Sequence, residues 1–184
     1  MVKKITKTRL AEPVRKRDHA RGAAHPAVTL VAYGDFANPN CIKAYRAVKR
    51  VEKKMGATLR YVFRSFPTGE EGEPSRKAAE AAQAAECAGA QGKFWEMHDR
   101  MFETRGPLSE FRLARHAASL GLDVRRFQRE MVGHAHARRL QVVVAGGLRS
   151  GVQETPALFI NSVRYRSSFG LATLLASVQA ATAS

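Results

Sequence analysis

With 184 residues and 45% of them apolar, the sequence predicts one domain with a sizeable core. No apolar run approaches the ~18 residues a membrane-spanning helix needs, so no membrane contact is expected. A formal net charge of +15 predicts nonspecific adhesion to polyanions at low salt, fading as salt rises.

Residues 1–22 read as a polar, basic leader, expected to be mobile and tied down only near Asp18-His19. Met1 to Arg21 carries eight Lys/Arg against two acids, without the apolar stretch of a secretory signal, so a cytoplasmic location is expected. His25-Pro26 leads into Ala27–Tyr33, an apolar β-branched run of strand length, apolar on both faces as a central strand would be. Ile42, Tyr45, Val48, Val51 and Met55 then recur at helical spacing until Gly56 ends the helix. Thr58–Phe66 reads as a second strand, which makes a right-handed βαβ unit with a parallel pair.

A helical block follows. Pro74 opens an Ala-rich helix that fades at 89–92, and Lys93 to about Thr104 forms the next. Leu108-Ser109-Glu110 starts a helix ending at Gly121, and two more are expected near 123–132 and 135–149. The pattern returns to β at Ala157–Ile160, turns at Asn161-Ser162, runs through Val163–Tyr165 and closes in a helix from Leu171 to about Ala180. The order is βαβ, helical insertion over about 73–150, then ββα.

Between the first strand and first helix lies Gly34-Asp35-Phe36-Ala37-Asn38-Pro39-Asn40-Cys41. Pro39 suits the first helical position and Asn38 the N-cap before it. Thiol-disulfide enzymes place Cys-x-x-Cys in such a turn, where helix-terminal N–H groups stabilise the first thiolate. Here that position is Asn38, and only the second cysteine, Cys41, is present.

These features resemble the DsbA-like family of thioredoxin-fold proteins over roughly residues 18–178. Asp18-His19, Gly22 and Tyr33-Gly34-Asp35-Phe36 resemble the approach to its Cys-Pro-x-Cys motif. Leu59-Arg60-Tyr61-Val62-Phe63-Arg64 resembles its second strand. Ala78–Ala82 and Gln91–Asp99 resemble its helical insertion. Gly151–Asn161 resembles its late loop and strand, in which the proline, here Pro156, is cis. The resemblance implies an α/β thioredoxin-like fold over 23–184, with Thr155-Pro156 facing the 38–41 turn. It also implies a groove in which the backbone before Pro156 pairs with an extended peptide.

Thiol-disulfide exchange needs an attacking thiolate and a resolving thiol. An asparagine amide does not ionise to a nucleophile, so Asn38 preserves the turn and removes the reaction. Cys41 takes the position that resembles the resolving cysteine, and two readings stand. It is either a monothiol, working for instance with glutathione, or a shielded small residue. Similarly, Thr155-Pro156, with Pro39 and Asn40, either keeps a binding groove for a peptide or protein segment or merely completes the fold.

Cys87, flanked by alanines, reads as a packing residue, and nothing in the sequence brings it near Cys41. Two cysteines this far apart agree with a reducing compartment. His134-x-His136 does not share a helix face, so no metal site is legible and no cofactor is expected. Three functions remain: a binding module with absent or vestigial dithiol activity, a monothiol oxidoreductase using Cys41, and a basic nucleic-acid binder.

Overall fold

The computed structural model describes residues 8–69 and 75–182. Among them the elements run β1 (His19–Gly22), β2 (Val28–Gly34), α1 (Pro39–Met55), β3 (Leu59–Ser65), α2 (Arg76–Gly89) and α3 (Phe94–Glu103). They continue with α4 (Glu110–Ser119), α5 (Val124–Val132), α6 (Ala137–Arg149), β4 (Ala157–Ile160), β5 (Val163–Arg164) and α7 (Leu171–Ala180). The sheet order is β1-β3-β2-β4-β5. Only β2 and β3 pair in parallel, in register from Val28 opposite Leu59 to Gly34 opposite Ser65; the other pairs are antiparallel. This is the expected thioredoxin-like α/β arrangement with helices inserted between β3 and β4. Pro74, expected to open α2, lies outside the described residues.

Strand alternation divides the core in two. Leu30 and Ala32 face the layer holding Cys41, Tyr45, Val48 and the inserted helices. Val31 and Tyr33 face Phe66, Phe159 and α6 residues Val143 and Val144. Close approach on that second side depends on Gly147, where a Cβ would stand 2.7 Å from the Phe66 ring and 3.0 Å from the Tyr33 ring. The Gly146-Gly147 pair is therefore a packing feature. Helix α2 presents Ala81, Ala84, Ala85 and Ala88 to the core, each fully buried, which lets neighbouring helices come close.

The expected mobile leader needs correction. Of the 22 leader residues, 8–22 are described and belong to the domain, and 1–7 lie outside the described residues. Arg9 bridges to Val163, and the Leu10 N–H donates to the Ser162 carbonyl at 2.8 Å. The cause is Arg64, whose buried guanidinium donates to the Glu12 and Pro13 carbonyls at 3.0 Å each and to the Tyr33 hydroxyl at 2.9 Å. It also grips both Asp18 oxygens at 2.9 Å. Leu10 and Val14 pack against the second core. The edge strand β1 escaped the sequence reading because four residues, His19-Ala20-Arg21-Gly22, carry no apolar alternation.

Candidate functional site

The β2–α1 turn is built by short side chains that bond the local backbone. Asn38 takes extended angles (φ −89°, ψ 120°), and its Oδ1 accepts from the Asn40 N–H at 2.8 Å, capping α1. Pro39 is the first residue of α1, as expected, and is exposed. Asp35, 3% exposed, accepts from the Ala37 N–H at 2.8 Å, the Thr68 N–H at 2.9 Å and the Thr68 hydroxyl at 2.6 Å. These bonds tie the turn to the loop after β3.

The Thr155–Pro156 bond is cis, and it stands against this turn. The Asn38 Nδ2 donates to the Thr155 carbonyl at 3.1 Å and reaches the Thr155 hydroxyl at 3.4 Å. The asparagine is thus bonded at both ends, to the helix it caps and to the residue before the cis-proline. The Thr155 N–H has no hydrogen-bond partner among the described residues.

Cys41 lies behind the turn, 3% exposed, and its sulfur accepts from the Asp35 N–H at 3.4 Å. Burial pushes its thiol up to about 11; the Asp35 N–H and the Thr155 hydroxyl oppose the rise without reversing it. A helix N-terminus favours a thiolate, but desolvation wins here. Cys87 is also free and buried, and burial, aided by the Glu130 and Glu86 carboxylates, pushes its thiol up to about 12.

Asn40, Thr155 and Pro156 share one open groove of about 700 Å³. Its other walls include Lys43, Tyr165 and Phe169. The structure therefore brings Asn38, Cys41 and Thr155 into one bonded cluster and places Asn40 and Pro156 beside it. Pro39 shapes the turn without lining the groove.

A gathering of positive charge lies elsewhere. A cavity of about 510 Å³ beside α6 is lined by Arg15, Arg17, Arg64, Arg138, Arg139 and Arg149. Asp18 pairs with Arg64, Glu86 with Arg139, and Glu12 with Arg149 and Arg15, so four of these six guanidiniums have carboxylate partners within the fold.

Sequence reading missed how deeply His98 is buried. It is 0% exposed, ringed by Phe36, Tyr45, Phe63, Trp95 and Phe102, and burial pushes its pKa down to about 4. Its Nδ1 meets Asp99 Oδ1 at 2.8 Å, whereas its Nε2 has no hydrogen-bond partner among the described residues.

The sequence profile described as Thioredoxin matches residues 15–180. A thioredoxin-like oxidoreductase from Silicibacter pomeroyi is similar with a TM-score of 0.80 and 23% identity, over 92% of this chain and 95% of that one. Oxidised BdbD from Bacillus subtilis is similar with a TM-score of 0.85 and 15% identity, over 97% and 100%. In sequence, the chain is 38% identical over 167 residues to the Na(+)/H(+) antiporter NhaA 1 of Salinispora arenicola. That match covers 91% of this chain and 25% of the antiporter, so the chain spans about a quarter of the length of the curated relatives it matches. The chain belongs to the thioredoxin family, and its fold is that of the DsbA-like thiol-disulfide oxidoreductases.

Proposed function

We propose that this domain keeps the binding groove of a thiol-disulfide exchange fold without its dithiol reaction, and that the groove takes an extended peptide or protein segment. The observation that carries this reading is the double engagement of Asn38. The residue in the attacking position has no nucleophilic atom, and its amide is spent on the α1 cap and the Thr155 carbonyl. Cys41 supports the same reading, since a buried, protonated thiol is a poor nucleophile. On the binding side, the Thr155 N–H, unpartnered among the described residues and beside an open groove, is the kind of main-chain group that an added strand pairs with.

The antiporter likeness lends this chain no transport chemistry. No helix among the described residues is long and apolar enough to cross a membrane. Such a likeness is compatible with a domain that engages another protein segment.

The test is insulin reduction by the natural sequence and by Asn38→Cys, alongside NMR titration with alkylated insulin B chain as the peptide probe. The natural sequence should be inert in reduction yet show the Thr155 amide shifting with probe. Asn38→Cys should gain dithiol exchange, because Cys41 then has an attacking partner three residues before it. Insulin reduction by the natural sequence would replace this reading with the monothiol one. An unmoved Thr155 amide would remove the groove.

A further inference from the structure

Helices α2 and α5 and the turn into α6 meet away from the Asn38–Pro156 groove. Cys87 comes from α2, Glu130 from α5, and His136 is the N-cap residue of α6. Their ligating atoms, one sulfur, one carboxylate oxygen and one imidazole nitrogen, all lie within 4.8 Å of one another. Glu130 Oε2 and His136 Nε2 are 3.3 Å apart.

In a tetrahedral zinc site with Zn–N and Zn–O bonds of about 2.0–2.1 Å, two such ligands stand about 3.3–3.4 Å apart. The Glu130–His136 pair already has that span. A thiolate bound at about 2.3 Å stands about 3.5 Å from either partner. The sulfur, no farther than 4.8 Å from either, therefore needs to close by at most about 1.3 Å, within reach of rotamer adjustment.

The surroundings hold these groups in place. Arg126 Nε donates to Glu130 Oε1 at 2.7 Å, which leaves Oε2 turned toward His136, as outer-sphere partners orient a metal-bound carboxylate. Gln83 Nε2 donates to the Glu130 and Met131 carbonyls at 3.3 and 3.0 Å, fastening the end of α5 to α2. Cys87 is fully buried, while Glu130 and His136 are partly exposed, so an ion can arrive from solvent on their side. One thiolate and one carboxylate carry the two negative charges that neutralise a dication. The mixed sulfur, nitrogen and oxygen set suits zinc better than the all-oxygen preference of magnesium or calcium.

We propose that Cys87, Glu130 and His136 form a three-ligand zinc site that clips the α5–α6 joint onto α2. Binding forms a Zn–S bond, releases the Cys87 thiol proton to solvent, and leaves the fourth position to water. The sequence shows no metal spacing because the ligands lie in three separate elements.

The test is titration of the reduced, EDTA-stripped 184-residue chain with Co²⁺ and then Zn²⁺. One equivalent of Co²⁺ should raise an ultraviolet thiolate-to-cobalt band, and Zn²⁺ should bleach it. The band should vanish in Cys87→Ala, persist in Cys41→Ala, and require at least ~10-fold more Co²⁺ in His136→Ala, since losing a ligand costs no less than losing an outer-sphere partner. If Cys87→Ala fails to fold, Glu130→Gln and His136→Ala, altered at partly exposed positions, carry the comparison. No band in the natural sequence, a band that depends on Cys41, or unchanged affinity in His136→Ala would each overturn the site.

Discussion

The side-chain amide of Asn38 donates to the Thr155 carbonyl at 3.1 Å while its oxygen caps α1 at 2.8 Å. One side chain thus joins the start of the helix to the cis-proline loop. Asn38→Ala removes both bonds and should cost about 1–2 kcal/mol of stability. Asn38→Asp keeps the cap but sets a carboxylate against the Thr155 carbonyl, so it should recover only part of the loss. Urea denaturation of the three proteins at neutral pH measures both differences.

Cys41 alkylation should follow its buried, neutral thiol. With Cys87 replaced by Ala, the native rate should keep climbing above pH 9 toward the raised value of about 11. At pH 8 it should be at least ~100-fold slower than for a free thiol, from the lower thiolate fraction alone. The sign also bears on stability. The unfolded thiol ionises first, so folding weakens as pH rises from about 8.5 toward that folded value. A midpoint below pH 8 in the alkylation profile would favour a working monothiol.

His98 predicts an acid-sensitive core. Its folded pKa of about 4 lies below the unfolded value near 6.5, so the unfolded chain binds the extra proton between them. Stability should therefore fall as pH drops from 6.5 to 4, by about 3 kcal/mol in total, and this contribution should level off below 4. The Asp99 carboxyl, held down by its bond to His98 and by Arg21, loses its own contribution only below the usual carboxylate range. Replacing His98 with Phe, which suits the aromatic cage, should flatten the 6.5–4 slope in urea midpoints measured against pH.

Arg64 should be the anchor of the N-terminal segment. Arg64→Met leaves Asp18 buried without its partner and should cost about 3–5 kcal/mol. Asp18→Asn with Arg64→Met should restore part of that loss. Limited proteolysis should cut the single variant between residues 8 and 18 while sparing the same stretch in the natural sequence.

Gly147→Ala tests the tight face of the sheet. A methyl group there meets the Phe66 and Tyr33 rings at 2.7 and 3.0 Å, so α6 or the rings must shift. The expected loss is about 1–3 kcal/mol, because overpacking outweighs the gain in helix propensity. A thermal midpoint equal to or above that of the natural sequence would contradict the packing.

The sequence by itself determined the order of the long elements and the nature of the turn. Helical spacing in α1, the two-sided apolar run of β2, and the Asn38-Pro39 cap are local signals, written in neighbouring residues. That Asn38 offers no ionisable nucleophilic atom was equally legible, because it is a matter of which residue stands at one position. Tertiary structure alone decided the rest. That Asn38 reaches Thr155, that Arg64 draws residues 12–18 into the fold, that His98 is sealed among rings, and that Cys87 meets Glu130 and His136 all depend on side chains distant in sequence. Such contacts follow from how packed layers close on one another, and no periodicity within a single segment encodes them.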